Sequence, residues 1–127
     1  MTAAATWAVA EPVLRRVFGT PYTDVRLLGA PLSPRHWRLA GTAAHLANGA
    51  AAGVAFRRLG VRGPASGIAA AQLEGVALWP AMAVVDRLHP DRTSGAWPPL
   101  LRNPRVFAQE VAAHAIFGAV LGVALRR

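Results

Sequence analysis

Six polar side chains that can carry protons or make strong hydrogen bonds lie inside or beside long apolar stretches of this 127-residue chain. They are Glu11, His45, Asn48, Glu74, Glu110 and His114. Carboxyl and imidazole groups are costly in apolar surroundings, so we expect these side chains to face inward and to contact one another. Residues three or four apart share a helix face, as His45 does with Asn48 and Glu110 with His114.

Three kinds of chemistry are compatible with this polar cluster. The first, which we favour, is a buried hydrogen-bond network that fixes the register of the helices. The second is a proton or ion relay, since carboxyl and imidazole groups exchange protons readily. The third is a metal or haem site with His45 and His114 as ligands. Di-iron bundles use Glu-x-x-His on two helices, whereas this chain has Glu-x-x-x-His once, so we expect no metal and no cofactor.

Common catalytic motifs are missing from the sequence. It contains no cysteine, no Gly-x-Ser-x-Gly around its serines, no Gly-x-x-x-x-Gly-Lys loop and no His-Glu-x-x-His. We therefore expect a protein that is not an enzyme.

The elements that carry the polar cluster are long apolar runs without Arg or Lys, at 39–56, 65–85 and 106–125. At ~1.5 Å per residue each helix would reach about 27–32 Å, close to the ~30 Å thickness of a bilayer's hydrocarbon core. The first segment, 2–14, is shorter and carries Glu11 and Pro12.

The sequence therefore predicts an all-α, integral membrane helical bundle that forms one domain over residues 1–127. Its four helices are expected at about 2–18, 38–58, 64–88 and 105–126. The last three are predicted to span the membrane, and the short first helix is predicted as an additional span.

Composition and charge agree with this prediction. The chain is 54% hydrophobic and 16% charged, against roughly 45–50% and 25% in soluble domains. Its net charge of +8 comes from arginines that occupy the gaps between apolar runs, which is typical of flanking charges and not of a nucleic-acid interface. Nine of the 14 arginines flank or lie in linkers 19–37 and 88–104, so these linkers are predicted to be cytoplasmic in a multi-pass protein of the cell membrane.

Small residues recur at the spacing that lets helices approach closely in lipid. The glycines concerned are Gly49 and Gly53, Gly67 and Gly75, and Gly118 and Gly122. Packing within the bundle is the simplest interpretation, and a homodimer motif is the alternative.

Four stretches resemble a group of small, uncharacterised multi-pass membrane proteins of actinobacteria. They are AEPVLRRVFG at 10–19, HLANG at 45–49, the segment 74–90 with its WP and DRLHP motifs, and 109–118 with its QE pair. The resemblance implies a four-helix membrane fold and no particular activity. We expect a structural or accessory subunit whose partners are the lipid bilayer and a second copy or another membrane protein. The alternatives are a small proton or ion transporter and a membrane metal- or haem-binding protein.

Overall fold

The computed structural model describes residues 2–95, 99–100 and 102–126. Within these residues the chain is helical and has no β-strand, which confirms the all-α prediction. The helices are α1 (Thr2–Phe18), α2 (Asp24–Leu32), α3 (Trp37–Arg58), α4 (Pro64–Arg87), α5 (Pro90–Thr93) and α6 (Pro104–Ala124).

The prediction of four helices is wrong, because the described residues form six. The long helices α1, α3, α4 and α6 occupy the four ranges in which the sequence predicts helices. The nine-residue α2 and the four-residue α5 lie in linkers 19–37 and 88–104, for which no helix was predicted. Residues 96–98 and 101 of the second linker lie outside the described residues.

Side-chain caps and prolines set the starts of two helices that carry the site. Asn103 accepts a hydrogen bond from the backbone N–H of Val106 at 3.2 Å, and Pro104 occupies the first turn of α6. Thr23 accepts one from the N–H of Arg26 at 3.2 Å and so caps α2. The cap marks where α2 begins, although α2 is only nine residues long.

Helix α6 is the centre of the structure. It packs against α4 and α1, while α1 also contacts α3 and α2 packs against α3. Both α1 and α4 run antiparallel to α6: Thr20, just after α1, bonds Gln109 near the start of α6, and the Gly63 N–H bonds the Gly122 carbonyl at 3.0 Å. Linkers 19–37 and 88–104 therefore lie at the same end of the molecule, where Arg26 pairs with Asp91.

Two apolar clusters lie on either side of a polar layer, which consists of Gln109 and the acidic and histidine side chains Glu11, Asp24, His45, Glu74, Glu110 and His114. The first is built mainly from α1, α3 and α6 and includes Ala4, Trp7, Ala52, Phe56, Ala113, Phe117 and Leu121. The second, near the two linkers, consists of Tyr22, Leu27, Leu100 and Val106, with Trp79, Met82 and Val85 packed against it. Along α6, Val106 belongs to the second cluster and Phe117 to the first, and Glu110 lies between them.

Two helices, α4 and α6, are long and apolar enough to cross a membrane. Three such spans and a short fourth were predicted from the sequence, and only two of these four helices meet the criteria of length and apolar composition. Helix α3 has 22 residues, but its glycines, His45 and Asn48 make it less apolar than α4 or α6. Helix α1 has only 17 residues and carries Glu11.

Candidate functional site

Five of the six predicted polar residues meet at a cavity of about 70 Å³ that five of the helices line. Its polar lining consists of Asp24, His45, Asn48, Glu74, Glu110 and His114. Five of these were singled out from the sequence, and the sixth, Asp24, was not. The structure therefore brings together residues that are up to 90 positions apart in the chain, counted from Asp24 to His114.

Helix α2 points its N-terminus into this polar layer. Its position is fixed by Glu11, whose Oε1 accepts a hydrogen bond from the backbone N–H of Asp24 at 2.6 Å. The hydroxyl of Tyr22 donates to the Asp24 carboxylate. The first N–H groups of a helix have no acceptor within the helix. Glu11 therefore supplies an acceptor that α2 itself lacks. Glu11 therefore holds α2 in place and does not line the cavity.

The segment that leads into α2 is fixed by a buried side-chain amide. Gln109, which is 1% exposed, donates from Nε2 to the Tyr22 carbonyl at 3.3 Å and accepts a hydrogen bond from the Thr20 hydroxyl. These bonds tie the segment that follows α1 to the first half of α6. Neither Thr20 nor Tyr22 was predicted from the sequence to belong to the cluster.

Both histidines lie against one indole ring. The Trp7 ring is 5.1 Å from the His45 ring and 4.6 Å from the His114 ring, edge to face in each case. Nδ1 of His114 lies 2.9 Å from the backbone carbonyl of Glu110 and 3.8 Å from its carboxylate. Nε2 of His45 is buried and has no hydrogen-bond partner. One histidine is thus anchored within its own helix, and the other keeps an unused polar atom beside the cavity.

The acidic side chains are unevenly distributed. The chain has six Asp and Glu residues, and four of them, Glu11, Asp24, Glu74 and Glu110, belong to the polar layer. The other two pair with arginine: Asp91 with Arg26, and Asp86 with Arg92 at 3.5 Å. Among the described residues no arginine lies within ion-pair distance of the four clustered acids. The centre of a strongly basic protein therefore carries an excess of carboxyl groups.

A separate polar contact joins the two linkers outside this layer. His89 lies 3.1 Å from the Arg26 carbonyl through Nε2, and its Nδ1 accepts the Asp91 N–H at 3.2 Å, so Nε2 is the donor. The hydrogen bond from the Arg26 guanidinium lowers the pKa of the Asp91 carboxyl, and the same bond raises the pKa of Arg26. These contacts fix the start of α2 relative to α5.

Five of the six predicted packing glycines lie at close contacts within the chain. A Cβ on Gly67 would come within 2.1 Å of the Gly118 carbonyl oxygen, and one on Gly122 within 2.2 Å of the Gly63 oxygen. Gly49 and Gly75 lie against Ala4 and the His114 ring. Gly53 has room, since its nearest neighbour would be Leu121 at 3.6 Å.

The tightest glycine contact was not predicted from the sequence. A Cβ on Gly29 of α2 would lie 1.9 Å from the Trp37 carbonyl oxygen, and one on Gly41 of α3 would lie 1.8 Å from the Val25 oxygen. These two glycines let α2 lie directly on α3. The two glycines lie twelve residues apart in the chain, on either side of the short connection between the two helices.

Within the described part of the chain, no three His, Asp or Glu side chains are placed so that they could hold a metal ion together. Comparison with protein-family models, with characterised proteins and with solved structures gives no match to this chain.

Proposed function

We propose that this chain is an integral membrane protein whose four long helices lie in the bilayer, with α2 as a short helix that re-enters the bundle. The observation that carries the proposal is the inverted distribution of polarity. Gln109, Glu110 and His45 are each at most 6% exposed, whereas Leu39 and Leu73 are 76% and 73% exposed. Single exposed leucines are ordinary on a soluble protein, but 15 large apolar side chains are exposed among the described residues. So many of them, on helices whose polar groups are buried, favour contact with lipid.

The proposal includes α1 and α3, although only α4 and α6 qualify as spans by length and composition. Both helices pack in the bundle, and their outer faces are apolar: Val9, Val13 and Val54 are all exposed. His45, one of the two polar side chains that lower the hydropathy of α3, is buried and faces inward, whereas the other, Asn48, is exposed beside the cavity. Inward-facing polar groups are the usual exception to the apolar character of a span.

Sidedness follows from the arginines. The end formed by linkers 19–37 and 88–104 is flanked by nine arginines, and the opposite end by five, so we propose that the former is cytoplasmic. Reporter fusions test this directly. Gly60 and Gly95 are suitable positions, because a Cβ added at either glycine would have no neighbour within 4 Å and the two lie at opposite ends. The two fusions should report different compartments, and agreement between them would contradict the topology.

The role we propose for this membrane protein is that of a structural or accessory subunit. Much of the polar layer serves to hold α2, through the bonds of Glu11, Gln109 and Tyr22, which is a structural task. The exposed apolar face of α4 is free to contact lipid, a second copy or another membrane protein. Purified protein in liposomes should then show no proton flux above that of empty liposomes, and its molar mass in detergent will separate monomer from homo-oligomer.

A proton or ion carrier is the second candidate, and one observation favours it. Glu74, Glu110, His45 and His114 line the cavity and do not hold α2, so they are free for another role. In this case liposomes should show a proton flux that Glu110→Gln abolishes while the variant stays folded. Asp91→Asn, which changes an acid outside the cavity, is the matched control and should leave the flux unchanged.

A further inference from the structure

The cavity is open on the side where α4 faces α2 and α3. Helix α4 packs extensively on α6 but not on α3, and both α3 and α4 line the cavity. The lining includes Asn48 and Leu78, which are themselves exposed at the surface of the bundle. Leu28 and Met82 add apolar wall near this opening. A ligand could therefore enter sideways and leave an apolar part between the helices.

The polar wall of the cavity is anionic in composition. Three carboxyl groups line it, those of Asp24, Glu74 and Glu110. They outnumber the two imidazoles of the lining, and no arginine is among the lining residues. Carboxyl groups brought together away from water need positive charge or protons to neutralise them. The arginines that could have supplied this charge lie at the ends of the helices.

Two further features indicate an organic cation. Nε2 of His45 is buried and unpartnered, which leaves a polar atom beside the cavity for a hydrogen bond to a ligand. The rings of Trp7, Trp79 and Phe117 also line the cavity. Aromatic rings combined with carboxylates are the environment that binds ammonium groups through cation–π contacts and charge.

We propose that this cavity binds the ammonium head of a lipophilic amine, with the alkyl chain leaving through the opening between α3 and α4. The volume of about 70 Å³ suits a head of a few heavy atoms and not a large polar group. The absence of arginine from the lining disfavours an aminophospholipid, whose phosphate would meet carboxyl groups. The path proposed for the alkyl chain depends on the proposed location of the protein in a membrane, whereas the binding of the ammonium head does not.

Three ligands of equal chain length test the proposal: hexylammonium, hexan-1-ol and hexanoate, titrated into the purified protein in a nonionic detergent. Trp7 and Trp79 line the cavity, so tryptophan fluorescence reports occupancy. Hexylammonium should bind at least about tenfold more tightly than either of the others, since only it has the charge that the carboxyl groups attract. Nanodiscs with and without phosphatidylethanolamine test the alternative source of an ammonium head.

Variants locate the site. Glu110→Gln and Glu74→Gln should each weaken hexylammonium binding about tenfold and leave hexan-1-ol binding unchanged, while Asp91→Asn should bind as the original protein does. Glu74 is only half-buried, so its variant keeps the test valid if Glu110→Gln does not fold. Equal binding of amine and alcohol, competition by phosphatidylethanolamine, or full affinity in both Gln variants would overturn the proposal. Release of the protein from membranes by alkaline carbonate would instead overturn the membrane location and leave binding of the head to be judged separately.

Discussion

Glu11 is a side chain of α1 that acts on another helix, and its contribution can be measured. Its carboxylate accepts the Asp24 N–H, which is otherwise an unpaired donor at the buried start of α2. Glu11→Leu should therefore lower the free energy of unfolding by about 1–3 kcal/mol, the cost of a buried donor without a partner. Glu11→Gln keeps an acceptor oxygen and should cost much less. Thermal melting in detergent, monitored by circular dichroism, distinguishes the two variants. Equal losses of stability in both would show that the hydrogen bond is unimportant.

Asp91 provides a pH-dependent prediction at the same scale. The hydrogen bond from Arg26 lowers its pKa below the ordinary value of 3.8, so the folded state favours the charged carboxylate. The stabilisation is fully present above pH 3.8 and is lost as the pH falls through the lowered pKa. Because both side chains are partly exposed, we expect only about 0.2–1 kcal/mol.

The comparison is between the original protein and Asp91→Asn, melted at several pH values. The original protein should be slightly more stable near neutral pH, and the difference should disappear in acid. A difference that persists unchanged at low pH would contradict the assignment of the effect to the Asp91 charge.

The residues of the polar layer could be predicted where they lie on the long apolar helices, which could themselves be predicted. His45, Glu74, Glu110 and His114 stand out because each interrupts an apolar run, and a polar group in such a run must face inward. Asp24 carries no such signal. It lies in a linker rich in charge, proline and glycine, and reaches the cavity only because α2 turns back into the bundle.

At the scale of the helices, the close crossing of α4 and α6 depends on glycine, and a comparison of two glycine-to-alanine variants tests this. Gly67→Ala would place a Cβ 2.1 Å from the Gly118 carbonyl oxygen, so the two helices must move apart. We expect a loss of about 1–3 kcal/mol, as for other overpacked sites. Gly53→Ala meets only Leu121 at an ordinary 3.6 Å and replaces glycine by a better helix former, so it should be neutral or slightly stabilising. A Gly67→Ala variant as stable as Gly53→Ala would show that the helices are not in close contact.

Helix α2 could not have been predicted by local rules. Nine residues are too few for an isolated helix to be stable, and Gly29 and Pro31 both disfavour one. The helix exists because its N-terminus is bonded by Glu11 and its length lies against α3 at Gly29 and Gly41. Both interactions are tertiary and involve partners outside the segment itself. The long helices, in contrast, follow from the apolar runs alone.

At the scale of the whole molecule, the expected effect of one substitution in α4 depends on whether lipid or water surrounds this helix. Leu73 lies near the middle of α4 and is 73% exposed. If α4 lies in lipid, an arginine at this position should cost about 2.5–3.5 kcal/mol, as at the centre of a membrane span. If this face of α4 lies in water, the arginine should change the free energy of unfolding by no more than about 0.5 kcal/mol. Leu88, which is 80% exposed just after α4, is the matched control because an arginine at that position can reach the interface. The membrane-inserted fraction should fall for Leu73→Arg and stay unchanged for Leu88→Arg, since only the first places a charge within the hydrocarbon. Equal insertion of the two variants would show that the apolar face of α4 is not in contact with lipid.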